Sequence, residues 1–66
     1  MRNTIKVERA KKNITQAELA RVLNVSRLTV HSIEAGKFNP SIQIALKMAR
    51  YFNIKVEELF ILDETD

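Results

Sequence analysis

Three tripeptides, "NIT" at Asn13, "NVS" at Asn24 and "NIK" at Asn53, constrain the fold of this chain more than anything else in it. Asn is the residue after Gly most at ease in the left-handed conformation that ends helices, and Ser and Thr are favoured at helix N-caps. Each tripeptide therefore reads as one helix stopping and another starting. The apolar middle residue supports this reading. Ile14 before Thr15 meets Leu19, Val25 before Ser26 meets Val30, and Ile54 before Lys55 meets Leu59, each at the spacing of the staple that fixes how a chain enters a helix. Thr15 also has Glu18 three residues on, which completes a capping box. A fourth junction, "AGKFNPS", supplies the only glycine, Gly36, as a stop, then a loop, then Pro40 and Ser41 as a start.

These punctuation marks predict five helices, roughly Asn3 to Lys12, Gln16 to Leu23, Arg27 to Ala35, Ile42 to Phe52 and Val56 to Phe60. No segment of useful length alternates apolar and polar residues, so no sheet is expected and the fold class is all-α. On the fourth helix Ile42, Ala45, Leu46, Ala49 and Phe52 stand at core spacing. With Ile5, Leu19, Ala20, Leu23, Val30, Ile33, Ile54, Val56 and Leu59 they fill one small core. Lys55 occupies an N-cap position where Ser, Thr or Asp would be better by about 1 kcal/mol, which makes the fifth helix the weakest element.

Sixty-six residues is a single domain, residues 1–66, near the lower end of what folds unaided. The absence of cysteine excludes disulfides and thiolate metal sites, and one histidine does not make a zinc site, so neither metal nor cofactor is expected. The longest apolar run, Leu59 to Leu62, is too short to span a membrane, and the N-terminus lacks a signal-peptide pattern. A cytoplasmic protein follows. Residues 1 to 50 hold ten basic and three acidic side chains, and residues 51 to 66 hold one basic and five acidic. A basic body with an acidic tail is the charge pattern of a domain whose partner is a polyanion.

The stretch "SRLTVHSIE" carries the functional signal. At about 100° per residue Val30 and Ile33 point one way, while Arg27, Leu28, His31 and Ser32 point roughly the other. Helices 2 and 3 are separated only by Asn24, Val25 and Ser26, the arrangement of a helix-turn-helix DNA reader. "TQAELARVLNVSRLTVHSIEAGKFNPS", Thr15 to Ser41, resembles the lambda-repressor-like, xenobiotic-response-element family of helix-turn-helix transcriptional regulators. The similarity runs from Ile5 to about Phe60, and "TQAELA", "VS", "IEAGK" and "NPS" are its most specific parts.

The resemblance implies a compact five-helix fold whose third helix enters the major groove of double-stranded DNA. By position, the family's base-reading residues fall on Arg27, Leu28 and Ser32, with Thr29 and His31 beside them. Backbone contacts are implied at Gln16, Ser26, Lys37, Asn39 and the amide of Ser41. In similar proteins an Arg late in helix 1 pairs with the Glu that ends helix 3, which assigns Arg9 and Glu34 here to a structural ion pair. Glu8 departs from the family pattern, which has an apolar residue facing the core at this position. Either its carboxylate reaches out to water or helix 1 packs with a slight rotation.

The tail "ELFILDETD" offers Phe60, Ile61 and Leu62 before an acidic run at residues 63–66. A homodimer interface built from helix 5 and these residues, with Tyr51 and Phe52 nearby, is the favoured reading, and folding of the tail over its own core is the alternative. An enzyme is excluded by the missing Gly-rich phosphate loop and the lack of an acid/base partner for the lone histidine. A chain this short has no room for a small-molecule effector pocket. The competing function is a protein-interaction module of the same fold, such as an antitoxin or a bridging factor.

Overall fold

In the computed structural model, which describes residues 1–66, Ile5–Lys12 (α1), Gln16–Leu23 (α2), Arg27–Glu34 (α3), Ile42–Phe52 (α4) and Val56–Leu59 (α5) are helical. Asn13, Asn24 and Asn53 all have left-handed backbones, with φ of 56°, 56° and 57°. In each case the Asn N–H donates three residues back, and the N–H of the next residue donates five back: Ile14 to Arg9, Val25 to Ala20 and Ile54 to Ala49, at 3.0 to 3.1 Å. Gly36, at φ 77°, closes α3 in the same way, with Lys37 N–H donating to the Ser32 carbonyl at 3.0 Å. These are Schellman closures, which satisfy carbonyls that would otherwise be orphaned at a helix end. Ile14, Val25 and Ile54 pack against the core from them.

The starts are as local as the stops. The hydroxyls of Thr15, Ser26 and Ser41 each accept from the N–H three residues on, those of Glu18, Thr29 and Ile44. Glu18 reaches back to the Thr15 N–H at 3.2 Å and completes the capping box. The Lys55 side chain provides no such cap. Glu58 alone accepts from the Lys55 N–H, and α5 is a single turn.

The chain also contains a short sheet, against the expectation of none. Arg2–Asn3 (β1) pairs antiparallel with Phe60–Ile61 (β2), Arg2 opposite Ile61 and Asn3 opposite Phe60. Two-residue strands carry no alternation for a sequence pattern to show. The pair also trims both terminal helices, since α1 begins at Ile5 rather than Asn3 and α5 ends at Leu59 rather than Phe60. The Thr4 N–H donates to the Leu59 carbonyl, and the Thr4 hydroxyl to the Glu58 carbonyl. Asn3 ties this clasp to α3, its amide nitrogen donating to the Ile33 and Glu34 carbonyls at 3.1 and 3.3 Å.

Ile5, Leu19, Ala20, Leu23, Val30, Ile33, Met48, Ala49, Phe52 and Leu59 form the buried core. Two residues expected there are outside, Ile42 at 79% and Leu46 at 53% exposure, and Ala45 is only half-buried at the margin. The inward stripe of α4 instead runs Ile44, Met48 and Phe52 at four-residue spacing, with Ala49 beside it. Positions two apart on a helix lie about 200° apart, so Ile42 and Leu46 face away from Ile44 and Met48. Glu8 is buried on α1, its carboxylate meeting the exposed Lys11 amine at 3.1 Å.

Candidate nucleic-acid interface

The turn Asn24 to Ser26 sets α3 against α2 so that Val30 and Ile33 enter the core and the opposite face stays in solvent. Arg27, Leu28 and His31 surround one shallow depression of that face, of about 250 Å³. Leu28, Thr29 and Ser32 surround a second of about 360 Å³, together with Lys37 and Phe38 from the following loop. Leu28 is 71% exposed, although water is a poor environment for it. Arg27, His31 and Lys37 form no ion pair with the rest of the chain, whereas the Thr29 hydroxyl is held 2.9 Å from the Ser26 hydroxyl at the helix cap.

On the side of α3 facing α1, a more polar cleft of about 530 Å³ is lined by Lys6, Arg9, Gln16, His31 and Glu34, with Asn3 and Ala35 at its edge. The Arg9 guanidinium donates to both Glu34 oxygens, at 2.8 and 3.0 Å, and to the Ile14 carbonyl at 3.1 Å. Burial pushes the Glu34 carboxyl up, but the hydrogen bond and charge of Arg9, helped by Gln16 and Lys6, more than offset it and leave its pKa below the usual carboxylate value. The same hydrogen bond raises Arg9 further above its ordinary value, against the opposing effect of burial.

The geometry thus brings Arg27, Leu28, Thr29, His31, Ser32 and Lys37 onto one face, with Ser26 at its N-terminal end and Gln16 at the flanking cleft. Asn39 and Ser41 are exposed but line neither depression, and the Ser41 hydroxyl is committed to the Ile44 N–H. Phe38, 54% exposed, and Lys6 were not singled out from the sequence. Lys6 stands three residues before Arg9 and so on the same helix face, which was the available signal.

The tail residues lie elsewhere. Tyr51 packs edge-on to Phe52 at 5.3 Å and beneath the Lys12 amine at 4.9 Å. Phe60 and Ile61 are half-buried in β2, and Leu62 is 73% exposed. Asp63 receives Arg2 at 2.8 Å, and the Met1 amine reaches Asp63 and Asp66 at 3.1 and 2.9 Å. No helix is long and apolar enough to cross a membrane.

Comparison with known proteins agrees with this architecture. The helix-turn-helix family profile matches residues 5–59. The chain is similar to an uncharacterised HTH-type transcriptional regulator of Archaeoglobus fulgidus, 52% identical over all of this chain and 93% of that protein. A counterpart in Methanocaldococcus jannaschii is 44% identical over the full length of both chains. Among solved structures, the restriction-modification controller protein C.AhdI from Aeromonas hydrophila superposes with a TM-score of 0.74 at 32% identity, covering 85% of this chain and 81% of that one. With the matched profile spanning all five helices, the chain belongs to the lambda-repressor-like, xenobiotic-response-element family of helix-turn-helix transcriptional regulators, which are DNA-binding proteins and not enzymes.

Proposed function

We propose that this protein is a sequence-specific regulator that reads the major groove of double-stranded DNA with α3, as a cytoplasmic homodimer on a palindromic operator. The observation that carries the reading is the exposed face of α3, where Arg27 and His31 have no ion-pair partner and Leu28 has no apolar cover. Arg27 has the fork that donates to guanine O6 and N7, and Leu28 suits a thymine methyl, which no hydrogen bond reads. Ser32 and His31 add short-range polar contacts, while Thr29, partly engaged by Ser26, contributes through its methyl group.

Backbone positioning falls to Gln16, Ser26, Lys37, Asn39 and the amide of Ser41. The first turns of α2, α3 and α4 carry free N–H groups and the positive end of the helix dipole, which favour phosphate. For dimerisation, Tyr51, Phe60, Ile61 and Leu62 are the candidate contact residues. The support is the exposed Leu62 side chain beside two half-buried apolar neighbours. A two-fold pair would set its recognition helices about 34 Å apart, one turn of duplex.

The test is selection of bound duplexes from a randomised pool at near-physiological salt, with sedimentation of the free protein alongside. Enrichment of a two-fold symmetric site with half-sites about 10 bp apart supports the reading. If no sequence is enriched even at low salt, a protein-interaction role replaces it.

A further inference from the structure

Phe38, in the loop between α3 and α4, keeps 54% of its surface in water. It takes no part in the core and has no aromatic neighbour, since the one ring pair of the chain is Tyr51 with Phe52. Leu28, 71% exposed, lines the same depression of about 360 Å³, with Thr29, Ser32 and Lys37. A lone apolar side chain on a surface is ordinary, but two large ones on one depression leave a shared apolar surface without cover.

The backbone holds the Phe38 ring in position. Gly36 turns the chain at φ 77°, and the Lys37 N–H donates to the Ser32 carbonyl at 3.0 Å. On the other side Pro40 fixes its own φ and biases Asn39 to an extended backbone. Phe38 is therefore bracketed by constrained residues, and covering its ring with a ligand costs little further ordering of the loop.

The place of Phe38 beside Lys37 selects what the ring meets. On the proposed reading Lys37 reaches a phosphate at the flank of the major groove, so Phe38 faces the part of a base edge nearest its own backbone. In thymine that part is the C5-methyl, with the O4 acceptor farther in; in cytosine it is a bare C–H. In a purine it is the N7 acceptor, which neither Phe38 nor Leu28 satisfies. Only thymine offers an apolar group there, and burial in an apolar depression is the one way to read it.

Resting on the proposed function, we infer that Phe38 is a specificity-determining residue, which joins Leu28 in a two-sided socket for the C5-methyl of one thymine in each half-site. Leu28 covers the methyl from the helix and Phe38 covers it from the loop. The α3–α4 loop thereby reads a base as well as the backbone.

The test uses the full chain and the selected operator duplex, with its thymines replaced one at a time by uracil, which removes the methyl and no hydrogen-bonding group. Fluorescence anisotropy at near-physiological salt should find one thymine per half-site whose replacement weakens the wild type about fourfold, the loss of one buried methyl, and whose effect depends on Phe38. In Phe38→Ala the ratio at that thymine should fall below about twofold, while Phe38→Leu, which keeps an apolar wall, should retain most of it. The thermal midpoint of Phe38→Ala should match the wild type, because the ring lies outside the core. A bound operator in which no uracil weakens the wild type would overturn the inference, as would a responding thymine whose ratio is unchanged in Phe38→Ala. Uniform weakening of Phe38→Ala on every duplex, with all ratios intact, would also overturn it by placing the ring against the sugar-phosphate backbone. A wild-type protein that binds no duplex at any salt sinks the proposed function and this inference together. A failure confined to the uracil series leaves the function standing.

Discussion

The Arg9 guanidinium grips both carboxylate oxygens of Glu34, Nη2 to Oε1 at 2.8 Å and Nε to Oε2 at 3.0 Å, and so fastens α1 to the end of α3. Its remaining nitrogen donates to the carbonyl of Ile14, the residue that closes α1 and leads into α2. One side chain therefore links the first junction of the fold to the recognition helix. Both groups are mostly covered, with 16% and 11% of their side chains exposed. Their charges matter more than those of the solvent-facing Arg2–Asp63 pair, because a surface pair contributes little.

Acid should weaken this fastening. The folded-state pKa of Glu34 is depressed below its ordinary 4.5, so its contribution is whole above that value and lost as pH falls through the lower folded-state one. Glu34→Gln strands the Arg9 charge and should cost about 2–3 kcal/mol at neutral pH, less than the 3–5 of a wholly buried pair. Urea melts from neutral pH down to about pH 3 should show a steeper acid loss in the wild type than in Glu34→Gln. Equal slopes would remove Glu34 as the source.

Asn24 tests the turn. At φ 56°, Asn24→Ala places a Cβ in a left-handed backbone and should cost about 1 kcal/mol, or a fall of about 4–8 °C in Tm, while Asn24→Gly should be within about 0.5 kcal/mol of neutral. If Ala were tolerated as well as Gly, the left-handed closure would not be what shapes the helix-turn-helix.

The two faces of α4 should answer differently to truncation. Met48→Ala opens a cavity at a fully buried position and should cost about 2–4 kcal/mol, whereas Ile42→Ala, at 79% exposure, should stay within about 0.5. Thermal melts of the two variants decide it, and equal losses would contradict an inward stripe of Ile44, Met48 and Phe52.

Arg27→Ala should leave stability within about 0.5 kcal/mol and relax preference at one base pair per half-site by about 1–3 kcal/mol. Competition by duplexes altered one base pair at a time measures this. A uniform weakening across all competitors would move Arg27 from base reading to backbone contact.

What was legible in the sequence was local. Asn13, Asn24, Asn53 and Gly36 end helices through bonds three and five residues back, and Thr15, Ser26 and Ser41 start them through bonds three residues on. Such signals lie within one window of sequence. The inward face of α4 was not legible, because Ile42 and Leu46 compete with Ile44 and Met48 on opposite sides of one helix and only the packed partners choose. Asn3 and the strand pair were invisible for another reason. Their partners, the Ile33 and Glu34 carbonyls and Phe60–Ile61, are about half and nearly all of the chain away. At the candidate site, helical periodicity and family resemblance marked the exposed face of α3, while Phe38 joins it only through tertiary placement and Lys6 carries no signal beyond standing three residues before Arg9.

The strand pair also bears on the order in which the molecule assembles. The helix caps form between near neighbours, whereas pairing Asn3 with Phe60 closes a loop of almost the entire chain and loses the most conformational entropy for two residues of ladder. The helical body should therefore collapse first and the ends latch last, and in the native state they should unlatch first. Hydrogen exchange reads this directly: the Thr4 amide, bonded across to the Leu59 carbonyl, should exchange well before the amides of Leu19 and Val30 within the helical body. A regulator built this way sheds its tail without dissolving its recognition helix.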